Sequence, residues 1–389
     1  VRAITLSKKE QILLLLFYHS YISRQTFLQL PGSMATTYAS LKSLVQERLI
    51  KERTLNYKIN SRPYKESCYS LSLDGLKYLK TEVSIPGSYY PELIAATPLP
   101  PSLNISGFGS SHERIISYLK KSTVSVFSAM LGASYRPLYI YNGEDVAHSL
   151  GTLVNQGLKE LQDRNMLVNP LSPYRFVSSD EMLKELRQAN SCDTPYRIGR
   201  EAGVLISESQ SLLLYRLGEE GFGWSKWHFK AELPAYVKYL HLIERNVVPR
   251  EASAACLVPN AKIFADTLLD KRKKRRADEQ LGSYIHSLYV FPENKDGIAS
   301  ARTWLDYGES LKESLISAAT KEGPYDKNNK QLFPLSLKGQ DVYLSPYLSY
   351  KDLEKLRDYP RNFRILCLPW QEEYYRRIFP DTPCDHIYM

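Results

Sequence analysis

Two carboxylates converging on a lysine are the residue types with which a metal-dependent phosphodiesterase works, the acids holding Mg²⁺ while the lysine polarises the attacking water. In this chain the residues nearest to that set are Glu113, Glu201, Lys230 and Glu232. The match is incomplete. An enzyme of the restriction type opens one strand with an aspartate and carries Glu-x-Lys on the next. Here the first strand would begin Glu201-Ala202-Gly203-Val204, and the later one offers Lys230-Ala231-Glu232, the right types in reversed order. The expectation is a scaffold without a catalytic centre, metal or cofactor, with these four charges on the surface. A divergent Mg²⁺-dependent nuclease stays open as the alternative.

Other templates of catalysis are missing. The chain has no GxxxxGK[ST] phosphate loop, no GxGxxG after a strand, no HExxH and no GxSxG. His19, His112, His148, His228, His241, His286 and His386 are all isolated, so no histidine cluster stands beside a tyrosine nucleophile. Tyr374-Tyr375 reads as packing.

The second chemistry open to this sequence is recognition of duplex DNA, and its candidate residues lie near the N-terminus. Thr36, Thr37, Tyr38, Ser40, Lys42 and Ser43 fall outside the apolar stripe Leu41, Leu44, Val45 and Leu49 and are expected to face base edges. Arg53, Lys58, Arg62 and Lys65 lie on or beside a turn-forming segment and are expected to meet phosphates. The elements that would position them follow in order. Ser7, three residues before Glu10, caps a helix carrying Ile12, Leu13, Leu15 and Leu16; Ser23 caps a short one that Pro31-Gly32 ends. A third helix runs from Met34 to Arg48. Strands ending near Tyr57 and spanning Cys68 to Ser72 make a hairpin, and Asp74 to Leu79 opens a closing helix. Three helices and then two strands is the winged helix-turn-helix order, with the third helix entering the major groove.

Charge supports a nucleic-acid partner. Residues 1–90 hold thirteen Lys and Arg against six Asp and Glu, an excess of seven in a chain whose formal net charge is +9. Cations gathered on one module supply the counterion-release contribution to DNA affinity. A winged helix can also be a protein-binding module, so an adaptor that recruits another protein remains open. A second cationic run, Lys271-Arg272-Lys273-Lys274-Arg275-Arg276, must be exposed and is expected to contact nucleic acid.

The 389 residues suffice for several domains. Five scattered cysteines without a C-x-x-C pair suggest neither a disulfide framework nor a zinc site, which fits a reducing cytoplasm. The longest apolar run, Ile12 to Tyr18, is far below the roughly 20 residues of a membrane span, and no signal-peptide pattern is seen. The expected class is α+β. A winged helix-turn-helix over 1–82 is followed by a Pro/Gly/Ser-rich linker over 83–111 and a restriction-endonuclease-like α/β region over 112–250. A basic linker over 251–282 and a small C-terminal α/β unit over 283–389 complete the chain. Within 112–250 the spacing predicts a helix from His112 to Lys121, a strand from Thr123 to Phe127 and a hairpin of 203–207 with 211–217. A strand over 224–232 and a helix from Ala235 to Glu244 follow, and an echo of the first module near Leu158 to Leu167 admits a second winged helix. The C-terminal pattern predicts a strand over 283–291 and one helix from Gly297 to Ser317.

On Leu6 to Leu13, Leu41-Lys42-Ser43-Leu44 through Ile50, Tyr69 to Gly75 and His112-Glu113-Arg114, the chain resembles the replication-relaxation proteins of plasmids and integrative elements. The resemblance covers about residues 6–240. It implies an N-terminal winged helix joined to a nuclease-like domain. It further implies a DNA-binding accessory role in replication, mobilisation or transcription control, with double-stranded DNA as partner; a relaxase or replication protein as a further partner, and an oligomer, stay open.

Overall fold

The computed structural model describes residues 7–18, 21–28, 33–59, 62–82, 112–131, 174–179, 182–183, 201–207, 209–217, 232–244, 253–269, 285, 287–320, 332–337, 339–360 and 362–388. The fold is mixed α/β. It divides into two compact units, one of residues 1–192 with 202–205, the other of residues 193–201 with 206–389.

In the first unit, α1 (Lys8–Tyr18) begins at a reciprocal cap: the Ser7 amide donates to Glu10 Oε2 at 2.6 Å and the Glu10 amide to Ser7 Oγ at 3.3 Å. The expected buried face, Ile12, Leu13, Leu15 and Leu16, is buried. β1 (Ile22–Ser23) leads into α2 (Arg24–Leu28), where Ser23 Oγ accepts from the Thr26 amide at 3.1 Å. α3 (Met34–Gln46) seats Leu41 and Leu44 in the core. β2 (Ile50–Ile59) and β3 (Arg62–Leu71) form an antiparallel hairpin in register from Ile50↔Leu71 to Ile59↔Arg62, and β1 pairs with β3, giving a sheet ordered β1-β3-β2. α4 (Leu73–Thr81) closes the module, capped by Ser72 Oγ on the Gly75 amide at 2.9 Å.

The end of α3 is wound tightly. The Leu49 amide reaches back to the Leu44 carbonyl and the Arg48 amide to that of Val45, both at 3.0 Å, the two bonds that close a Schellman turn. Arg48 thereby sits at φ 60°. That region costs an L-residue about 1–2 kcal/mol, and a cation at a helix C-terminus returns about 0.3–1 kcal/mol. Glycine would suit the turn better. Ser72 Oγ then rests on the Arg48 and Leu49 carbonyls at 2.6 and 2.8 Å. Gly75 is required at this junction, because a Cβ there would lie 2.0 Å from the Leu49 carbonyl oxygen.

α5 (His112–Leu131) corrects the expectation of a helix followed by a strand at 123–127. Thr123, Val124 and Val126 favour strands in isolation, yet residues 122–128 are all buried, and the Ser122, Thr123 and Ser128 hydroxyls donate to the carbonyls of Leu119, Leu119 and Val124. Polar groups satisfied within the helix let burial override propensity. Strand alternation places Leu55 and Cys68 on the sheet face opposite Ile50, Tyr69 and Leu71. α5 meets that second face: Leu119 joins Tyr21, Leu55 and Cys68 in one buried cluster, and the Thr123 and Thr26 hydroxyls bond at 3.1 Å. The unit is completed by β4 (Arg175–Ser178) and by residues 203–205 of β5 (Gly203–Ile206), with the Ser179 amide on the Ala202 carbonyl. The echo at Leu158 to Leu167 lies outside the described residues, as does the 83–111 linker.

The second unit holds β6 (Ser211–Arg216), α6 (Leu233–Glu244), β7 (Ser253–Val258), α7 (Ala261–Leu269) and β8 (Leu288–Pro292). β6, β7 and β8 are parallel neighbours. Four expectations are corrected here. Residues 251–282 are not merely a basic linker, since β7 and α7 lie within them, and the strand expected to begin a separate C-terminal unit is instead bonded to β7. β7 reads Ser-Ala-Ala-Cys-Leu-Val, an unbroken small-apolar run covered on both faces, as parallel strands are. Glu232 does not end a strand; it opens helical backbone leading into α6, while 224–231 lie outside the described residues. The helix expected over 297–317 is two, α8 (Lys295–Tyr307) and α9 (Ser310–Thr320), parted at Gly308, φ 54°.

A second sheet, ordered β13-β12-β10-β9, is built from β9 (Leu335–Leu337), β10 (Gln340–Ser345), β12 (Phe363–Cys367) and β13 (Cys384–His386). β11 (Leu348–Ser349) instead pairs with β8, and α10 (Tyr350–Arg357) and α11 (Glu372–Ile378) complete the unit. Among the described residues no helix is long and apolar enough to cross a membrane.

Candidate nucleic-acid interface

The α3 surface sorts the expected contact residues. Thr36 and Lys42 are exposed, Tyr38 is 50 % exposed, and Ser40 and Ser43 are half-buried. Thr37 is 1 % exposed, its hydroxyl donating to the Ser33 carbonyl at 3.2 Å, and it is removed from the reading set. The missed signal was phase. Thr37 lies four residues before Leu41 and seven before Leu44, on their stripe, where threonine buries its methyl and returns its hydroxyl to the backbone.

Several charges on this surface are already engaged. Lys9 Nζ meets Glu47 Oε1 at 2.5 Å, and Ser43 Oγ donates to the same oxygen at 2.6 Å; Lys9 first and Ser43 second hold the Glu47 carboxyl below the usual range. Ser43, expected to reach a base, is thus bonded within its own helix. Arg24 bonds Glu52 at 2.6 Å and the Tyr69 hydroxyl at 3.1 Å, with its guanidinium 5.6 Å from the Tyr38 ring centroid. These exposed pairs contribute about 0–1 kcal/mol each and chiefly fix side-chain direction.

The hairpin adds cations on both faces. Arg53 is exposed on the face shared with Leu55, and Lys65 is exposed on the opposite one. Lys51, which sequence reasoning passed over, is exposed beside Arg53 in the same alternation. Lys58 and Arg62 stand at the hairpin end, opposite Pro63 and Ile59; their side chains lie outside what is described. Lys271, Arg272, Lys273, Lys274, Arg275 and Arg276 also lie outside the described residues.

The acidic set behaves differently from expectation in the second unit. Glu201 and Glu232 are not surface charges: both are fully buried, with Lys238 at 1 % and Tyr215 at 1 %. Lys238 from α6 donates to Glu201 Oε1, and Glu232 Oε1 accepts from the Ile285 amide at 3.0 Å. Burial first, then the Glu201 and Glu232 charges, push the Tyr215 phenol well above its ordinary value. The lysine of this cluster is Lys238; Lys230 lies outside the described residues, as does the side chain of Glu113. A lysine among Tyr236, Tyr239 and Leu240 reads as a solvated position until its partner, 37 residues away in sequence, is known. No group of three or more His, Cys, Asp or Glu able to hold a metal ion occurs among the described residues.

Tyr374 and Tyr375 pack as expected: both are buried, Tyr375 donating to Ser345 Oγ at 2.5 Å and Tyr374 lying edge-on to Trp370. No protein-family model, curated protein or solved structure matches this chain, and its function is therefore read from its own residues.

Proposed function

We propose that residues 7–82 form a winged helix-turn-helix that binds duplex DNA, in an accessory factor of the replication-relaxation kind serving replication, mobilisation or transcription control of a plasmid or mobile element. The observation that carries this reading is the joining of two surfaces in one module. α3 presents Thr36, Tyr38, Ser40 and Lys42 outward, and an extended hairpin with exposed Lys51, Arg53 and Lys65 follows it directly. Polar groups on a helix suit base edges in the major groove, and cations on a projecting hairpin suit phosphates or the minor groove.

The same reading assigns no hydrolytic centre. Its support is the engagement of Glu201 by Lys238 and of Glu232 by the Ile285 amide in a buried setting, where a nuclease would turn both carboxylates toward a cation reached by water. Fluorescence anisotropy of labelled duplexes at several salt concentrations, with sequencing of genomic and plasmid fragments retained by the protein, tests the proposal. Salt-dependent binding with enriched sites supports it. Failure to bind any duplex at low salt would move the module to protein recruitment, and Mg²⁺-dependent cutting lost in Glu232→Ala would restore the nuclease alternative.

A further inference from the structure

We infer that Arg48 is a phosphate anchor at the junction of α3 and the hairpin, gripping the DNA backbone beside the groove that α3 enters. The inference rests on the duplex-binding reading above. Among the described residues Arg48 is the one non-glycine at positive φ. The Schellman bonds closing the turn come from backbone amides alone and would form equally with glycine, and the helix-end dipole returns less than the conformation costs. The local fold therefore gives no reason for a side chain here. Strain retained where a simpler residue would serve points to a use outside the fold.

The surroundings identify that use. The Arg48 side chain is exposed and makes no hydrogen bond or ion pair among the described residues, whereas Lys9 and Arg24 are each tied to a glutamate. Its acidic neighbour Glu47 is occupied by Lys9 and Ser43. Its backbone, by contrast, is held from both sides, the amide by the Val45 carbonyl and the carbonyl by Ser72 Oγ at 2.6 Å. A guanidinium on a fixed base loses less freedom on binding, and its planar fork matches two phosphate oxygens.

The experiment compares the full chain with its Arg48→Gly and Arg48→Lys variants, measuring melting temperature and anisotropy of one random-sequence duplex across salt. Arg48→Gly is expected to melt higher than wild type, yet to bind several-fold more weakly, with the slope of log K against log salt smaller in magnitude by about 0.9. Arg48→Lys should keep the slope, because it keeps the charge, and lose part of the affinity with the fork. Wild-type affinity and slope in Arg48→Gly would overturn the anchor while leaving duplex binding intact; a lower melting temperature would overturn it by giving Arg48 a structural purpose. Absence of duplex binding by wild type itself would remove the reading on which the anchor depends.

Discussion

Lys238 lays its ammonium against the Glu201 carboxylate with both side chains shut away from water. The attraction is offset by the cost of stripping two charges of solvent, so the pair adds little net stability, whereas removing one partner strands the other. Lys238→Met should cost about 3–5 kcal/mol in urea unfolding, and the double variant Lys238→Met/Glu201→Leu should recover much of that loss. Equal stability of wild type and Lys238→Met would mean that the pair does not form in solution.

On α3, exposure separates two kinds of threonine. Thr36→Ala and Ser40→Ala should flatten preference among duplex sites, a single hydroxyl bond to a base edge being worth about 0.5–1.5 kcal/mol, with little change in melting temperature. Thr37→Ala should do the reverse, lowering stability by about 1 kcal/mol with site preference unchanged. Competition binding beside thermal melts checks both, and a selective loss of site preference in Thr37→Ala would contradict its burial.

For the hairpin, replacing Lys51, Arg53 and Lys65 together by alanine should weaken binding to every duplex alike. The log K against log salt slope should shrink by about 0.9 for each of the three that meets a phosphate. Lys58→Ala and Arg62→Ala should behave in the same way. A slope unchanged in all variants would take the hairpin out of the interface.

The thiols should separate by chemistry. A hydrogen bond from Cys367 holds the half-buried Cys384 below the ordinary thiol range, while burial pushes Cys68 up to about 12 and Cys256 well above its usual value. Thiolate is the reactive form, so a lowered value means that alkylation of Cys384 levels off at a lower pH than that of a free thiol. Iodoacetamide at neutral pH, read by mass spectrometry in a Cys192→Ser background, should label Cys384 well before the other three. Cys367→Ala should shift the rate profile of Cys384 to higher pH; an unmoved profile would dismiss the hydrogen bond as its cause.

What was legible in the sequence was local. Ser7 with Glu10 and Ser23 with Thr26 announce helix starts because a cap is made within three or four residues, and the structure contains both. Asn294 caps α8 in the same way, a signal that the expected start at Gly297 passed over. Thr123 to Val126 misled because β-branched residues favour strands until packing encloses them, and β7 was hidden because its run of small apolar residues lies in a stretch dominated by six cations. The Glu201–Lys238 pair was beyond reading for another reason: each charge taken alone resembles a surface residue, and only the fold makes them neighbours.

The docking of α5 on the second face of the β1-β3-β2 sheet bears on how the protein can be dissected. A fragment ending at residue 82, where composition alone would cut, sheds Leu119 and Thr123 and leaves Tyr21, Leu55 and Cys68 facing water beside a sheet edge. Such a piece is a candidate for self-association through the uncovered strip, and weak DNA binding by it would say nothing of the intact chain. An excerpt that keeps the Leu119 and Thr123 contacts must run through α5, to Leu131.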